Sequence, residues 1–235
     1  MQNIADYNDV LWDAWNSYGK QEDLITKKQA LLESVFGDNI PETGTVLFSG
    51  FTPLLFAMQG YDVYLDNCSP ELLEALQEIT PVKKADYSRR YNVVIASDEF
   101  FTFAESEADQ IGQITKYCRL SSGGTLLATV RDYKNQDYKE REVSQPAIVR
   151  NKNTTRLYVE HLQSDVQNRE VMHCRVYALG DDMKQAGPWQ RRPLYFKQFA
   201  KFCYDAGAKT FTVQKNAMYK SLIKRTYEHI ITVKF

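Results

Sequence analysis

Between Thr45 and Val130 short apolar runs alternate with helix-like stretches, and few folds accommodate that rhythm. Thr45-Val46-Leu47-Phe48, Tyr61-Asp62-Val63-Tyr64-Leu65, Tyr91-Asn92-Val93-Val94-Ile95-Ala96 and Thr125 to Val130 are nearly continuous in apolar residues. A strand wetted on one face alternates apolar with polar side chains. A continuous run is covered on both faces, as in a parallel sheet between helices. Helix signals lie where that reading needs them. Ser69 suits an N-cap, Pro70 a first helical position and Glu71 a first-turn acid, which predicts a helix to about Ile79. A second helix is expected from Glu105 to Arg119, and Val82 to Ala85 reads as a brief strand. Ligands of such sheets bind outside the carboxyl ends of the strands, where the strand order switches direction. That draws attention to residues 48–53, 66–67, 86–87 and 97–99.

The flanks read differently. Val10, Leu11, Ala14 and Trp15, then Leu24 to Phe36, fall at helical spacing, so residues 1–40 are expected to be N-terminal helices. Residues 133–153 are polar and read as a surface excursion. Two alternating segments follow, Thr155 to Leu162 and Val171 to Leu179, which predict an antiparallel hairpin. A loop rich in Gly and Asp then leads to a helix from Arg192-Pro193 to Ala206, with Gly207 as its cap. Two last strands are expected at 209–214 and 229–235. The whole reads as one α/β domain, 1–235, with 133–190 as an inserted cap region.

Charge and cysteine usage exclude several classes. The 29 basic and 30 acidic residues give a net charge of −1, which gives no indication of a nucleic-acid partner. Cys68, Cys118, Cys174 and Cys203 are widely spaced, with no C-x-x-C, which argues against a zinc ribbon and a disulfide framework. His161 and His173 alone make a poor metal signal, so no metal is expected. No basic-then-apolar leader opens the sequence, and no apolar run approaches the ~18 residues of a membrane span. The reading is a cytoplasmic protein without a membrane partner.

In chain order these pieces resemble the class I S-adenosylmethionine-dependent methyltransferases, in particular the branch acting on small molecules. The resemblance covers roughly residues 40–235. It rests on the strand Thr45–Phe48 entering Ser49-Gly50-Phe51-Thr52-Pro53 at that family's glycine-rich turn, and on Asp66 ending the second strand. It rests also on Ala85-Asp86-Tyr87 and on Tyr91 to Asp98, which is similar to the family's F-D-V-V-x-x-x-D strand. Gly123-Gly124-Thr125-Leu126-Leu127 matches its fifth-strand entry, and Arg192-Pro193-Leu194-Tyr195-Phe196 and Ala206-Gly207-Ala208 its late helix. The resemblance implies a Rossmann-like fold with an antiparallel C-terminal hairpin and an inserted β-hairpin after the fifth strand. It implies S-adenosylmethionine as cofactor, a small-molecule acceptor and in-line methyl transfer.

What the resemblance implies for residues follows the motifs. Ser49, Gly50 and Phe51 would approach the methionine end of the cofactor. Asp66, with Asn67, would take the ribose hydroxyls, because a carboxylate accepts from both at once. Asp86 and Tyr87 would lie around the adenine, and Ser97 would also contact the cofactor. Asp98 and Glu99 leave the fourth strand toward the pocket and are the candidates for a general base, or else are caps of the next helix. His161, His173 and Arg192 are candidates for the substrate side. Where the family carries an acid and two or three glycines, this chain has Phe48-Ser49 and only Gly50. The alternative is therefore a methyltransferase-like structural or binding protein without turnover. A nicotinamide enzyme is disfavoured by the missing G-x-G-x-x-G.

Overall fold

The computed structural model describes residues 4–10, 43–49, 60–78, 80–96, 99–131, 141–143, 147–150, 155–165, 171–180, 183–214 and 228–235. Residues 4–10 are helical. The elements after them are β1 (Thr45–Ser49), β2 (Asp62–Asp66), α1 (Pro70–Gln77), β3 (Val82–Lys84), β4 (Val93–Ala96), a 3₁₀ turn (Phe100–Thr102), α2 (Glu107–Leu120) and β5 (Thr125–Arg131). Then come β6 (Arg141–Val143), β7 (Ala147–Arg150), β8 (Thr155–Ser164), β9 (Met172–Leu179), β10 (Met183–Arg191), α3 (Phe196–Asp205), β11 (Thr210–Gln214) and β12 (Glu228–Lys234).

The central sheet runs β11-β12-β5-β4-β1-β2-β3. Strands β1 to β5 pair in parallel, while β12 runs antiparallel to both β5 and β11. Val46, Leu47 and Phe48 of β1 and all four residues of β4 are buried, as their unbroken apolar runs require. The order moves one way from β1 to β3 and the other way from β4 to β5. Right-handed crossovers therefore put α1 and α2 on opposite faces. Both helices start on serine caps. Ser69 Oγ accepts from Leu72 N (3.0 Å), and Ser106 Oγ accepts from Asp109 N (3.1 Å) while donating to the Asp109 carboxylate (2.7 Å). Among the described residues no helix is long and apolar enough to cross a membrane.

The insertion is larger than the expected hairpin. Strands β8 and β9 pair as anticipated, but β10 adds to β9, and β6 and β7 both pair with β8, making a five-stranded antiparallel sheet. The polar tract thus contains two short strands, and the loop rich in Gly and Asp contains a third. Gly187-Pro188 breaks the register of β10 between Ala186 and Trp189, which hides its alternation. Helix α3 begins at Phe196 rather than at Arg192. Arg192 N donates to Thr102 O (2.7 Å), so residues 192–194 are tied to the 3₁₀ turn before the helix can start. Gly207 follows α3 at φ +98°, the left-handed position expected of its cap.

Candidate functional site

The strand order reverses between β1 and β4, so the crevice of interest lies at the carboxyl ends of β1, β2 and β4. Ser49 and Asp66 are register partners at the ends of β1 and β2, and Ser49 faces Ala96 of β4. Ser49 is fully buried, and its hydroxyl donates to Ile95 O (3.2 Å). That bond ties β1 to β4 at the switch point.

Asp66 is only 4% exposed, yet it is rich in partners. Its Oδ1 accepts from the backbone N–H of Asn67 (2.8 Å) and from the Tyr87 hydroxyl. Its Oδ2 accepts from the Tyr117 hydroxyl and faces the Lys116 ammonium at 3.3 Å. Burial pushes the Tyr117 phenol well above its ordinary pKa, and the charge of Asp66 adds to the shift. Tyr87 is raised as well, first by burial and then by its hydrogen bond to Asp66. Both phenols therefore stay protonated and donate. Asn67 sits in the left-handed region at φ +54°, and its Nδ2 donates to the Tyr117 hydroxyl (2.9 Å). Its carbonyl accepts from Asn8 Nδ2 (2.7 Å), which brings the helical segment 4–10 to the end of β2.

Beside Asp66 opens a cleft of about 390 Å³, with Asn67, Lys116 and Tyr117 at its Asp66 end and Ile4, Phe100 and Phe103 around it. Along α2 the small residues Ala108 and Gly112 make room for it. That volume is in the range of small-molecule sites. The carboxylate of Asp86 is engaged within its own turn. It accepts from the N–H (2.9 Å) and hydroxyl (2.7 Å) of Ser88, and these bonds hold its pKa below the usual carboxylate value.

Glu99 is fully buried at φ +56°. Its Oε2 lies 3.6 Å from Nη1 of Arg191, a residue with no exposed surface, while Nη2 of Arg191 lies 3.0 Å from Oε1 of Glu160. Neither contact meets the geometry of a hydrogen bond, so both are charge pairing. The guanidinium also stacks over Phe103 (4.2 Å) and the Cys174 thiol donates to Glu160 (3.2 Å). This cluster joins the inserted sheet to the end of β4. Nothing in the sequence separates Arg191 from Arg192 until the β10 register is known.

Arg192, His161 and His173 do not line the cleft beside Asp66. Arg192 borders a depression of about 160 Å³ with Glu107, Gln110 and Tyr195. His161 and His173 share one face of the inserted sheet, offset diagonally through the pairs His161–Arg175 and Gln163–His173. That face is the partly exposed one, opposite to buried Glu160 and Cys174, and His173 is bonded to Asp165 (3.1 Å). Gly50, Phe51, Ser97 and Asp98 lie outside the described residues. Among the described residues no group of three or more His, Cys, Asp or Glu is placed to hold a metal.

No protein-family model and no curated protein sequence matches this chain. Solved structures do. The S-adenosylmethionine-bound amino pentose methyltransferase CalS10 from Micromonospora echinaspora superposes with a TM-score of 0.66 at 13% identity, covering 96% of this chain and 97% of its own. The CcbJ methyltransferase from Streptomyces caelestis gives 0.64 at 16% identity, covering 88% of each chain. The sugar N-methyltransferase KedS8 from Streptoalloteichus gives 0.61 at 12%, covering 89% of this chain and 87% of its own. At these identities the likeness is one of architecture: the chain carries the Rossmann-like class I methyltransferase fold.

Proposed function

We propose that the chain is an S-adenosylmethionine-dependent methyltransferase acting on a small-molecule acceptor. The observation that carries this reading is Asp66, a buried carboxylate at the end of β2, beside the switch point, whose partners Asn67, Lys116 and Tyr117 line a cleft of about 390 Å³. The residues fit a nucleoside. Each oxygen of Asp66 already accepts a hydroxyl, the donor type a ribose presents, and the neighbouring cleft has Phe100 and Phe103 in its wall. Asp66 and Asn67 would hold the ribose, and Ser49-Gly50-Phe51 the methionine end. When bound, the cofactor supplies a methyl group activated on a sulfonium.

The protein's part is then to place the acceptor in line and exclude water. The inserted sheet, anchored by Arg191 against Glu99, forms the acceptor side. Of the two acids after β4, Glu99 is engaged by Arg191, which leaves Asp98 as the residue to take a proton where the acceptor must lose one. Two neighbours are named for amino pentose and sugar substrates, which supports a small polar acceptor.

The test is titration calorimetry with S-adenosylhomocysteine on the wild type and Asp66→Ala. The expected outcome is micromolar binding that Asp66→Ala weakens at least tenfold, ~1.4 kcal/mol. Heatless titrations of wild-type protein at millimolar ligand would leave only the fold, as in a methyltransferase-like protein without turnover.

A further inference from the structure

Both oxygens of Asp66 are taken by the chain's own phenols, and the two phenols differ in how easily they could leave. Tyr117 is 1% exposed. Its ring packs against Phe100 (4.8 Å) and Phe101 (5.6 Å), and its hydroxyl also accepts from Asn67. Removing it from Oδ2 would open the core under β1 and β4. Tyr87 is 54% exposed and reaches Oδ1 from outside, with the Lys116 ammonium lying over its ring at 3.7 Å.

The backbone that carries Tyr87 is fixed independently of the phenol. Asp86 N donates to the Tyr91 hydroxyl (2.9 Å), which in turn donates to Asp86 O (2.9 Å), and the Asp86 carboxylate holds Ser88. A rotation about the Tyr87 side chain can therefore clear Oδ1 while the turn, Tyr117 and the sheet stay in place.

We propose that Tyr87 is a latch: its hydroxyl occupies the position of a ribose hydroxyl on Asp66 and must swing out before a nucleoside ligand can bind. The inference rests on the methyl-donor reading above and adds to it how entry is controlled. It also makes the ribose recognition one-sided. The incoming hydroxyl replaces Tyr87 on Oδ1, while Tyr117 and Lys116 keep Oδ2. A ligand that binds only the unlatched state has its affinity reduced by the fraction of molecules unlatched, so removing the latch returns that factor. The gain belongs to association, because a latch that has already swung out does not affect departure.

The experiment compares wild type with Tyr87→Phe, which keeps the ring beside Lys116 and deletes the hydroxyl. S-adenosylhomocysteine affinity is measured by calorimetry and the rates by stopped flow. The expected result is about tenfold tighter binding for Y87F, with association faster and dissociation unchanged. Wild-type binding that Y87F leaves unchanged or weakens overturns the latch alone, since the hydroxyl would then be idle or part of the bound site. No binding by either protein at millimolar ligand overturns the donor reading and the latch with it.

Discussion

A guanidinium sealed from water needs opposing charge, and around Arg191 that charge comes from two separate parts of the fold. Glu99 follows β4, Glu160 lies on β8, and all three side chains are essentially unexposed. Removing one partner of such a group leaves the others charged and buried, which costs far more than the pairing itself contributes. Arg191→Met keeps much of the volume over Phe103 but strands two carboxylates. The expected loss is about 3–5 kcal/mol in urea unfolding. A triple variant that adds Glu99→Gln and Glu160→Gln should recover most of it, because no charge is then left unpaired. A loss below 1 kcal/mol in the single variant would mean that water reaches the cluster. At this scale the sequence was only half legible. The position of Asp66 at the end of an apolar strand could be read. Its partners could not, because Tyr87 and Tyr117 look like an exposed turn residue and a helix's buried stripe until the direction of each hydroxyl is known.

Elements were easier to read than side chains where a local rule carried the information. The unbroken apolar runs became β1, β2, β4 and β5, and Ser69-Pro70-Glu71 opened α1. The pair Gly123-Gly124 is an instructive case, since its two glycines serve different needs. Gly123 turns the chain at φ +83° after α2. Gly124 enters β5 so close to β4 that an added Cβ would lie 2.4 Å from Asn92 O and 2.8 Å from Tyr91 O, both backbone atoms that cannot swing aside. Gly124→Ala must therefore push β5 away from the start of β4, where Thr125 N donates to Asn92 O at 2.9 Å. We expect a loss of about 1–3 kcal/mol by thermal or urea unfolding, the usual cost of overfilling a packed site. A neutral G124A would show that the two strands separate easily. The elements the sequence concealed, β6, β7 and β10, are strands of the inserted sheet. The first two are only three and four residues long within a polar tract, and Gly187-Pro188 interrupts the third, so their pairing is decided by β8 and β9 rather than by their own residues.

At the scale of the whole molecule, the question is whether the inserted sheet folds as a passenger or as part of the core. Buried Tyr158, Leu162, Cys174, Val176 and Trp189 belong to the same apolar cluster as Val46, Phe48 and Ile95 of the central sheet. Trp189 meets Tyr7 edge-on at 5.3 Å, Tyr7 meets Phe103 at 5.0 Å, and Arg192 N is bonded to Thr102 O at 2.7 Å. The segment 4–10, the turn after β4 and the last inserted strand thus meet at one junction, and it borders the cleft beside Asp66. We propose that the chain unfolds as a single cooperative unit. The check is a Trp12→Phe/Trp15→Phe protein, in which Trp189 is the remaining tryptophan and its fluorescence reports the inserted sheet. Urea unfolding followed by that fluorescence and by far-ultraviolet circular dichroism should give coincident midpoints. S-adenosylhomocysteine at about one hundred times its dissociation constant should shift both midpoints together, by an amount equivalent to about 2.7 kcal/mol of added stability. Two separated midpoints, with ligand shifting only the later one, would instead make the inserted sheet an independent unit. Acceptor recognition would then be free to vary without any effect on how tightly the nucleoside is held.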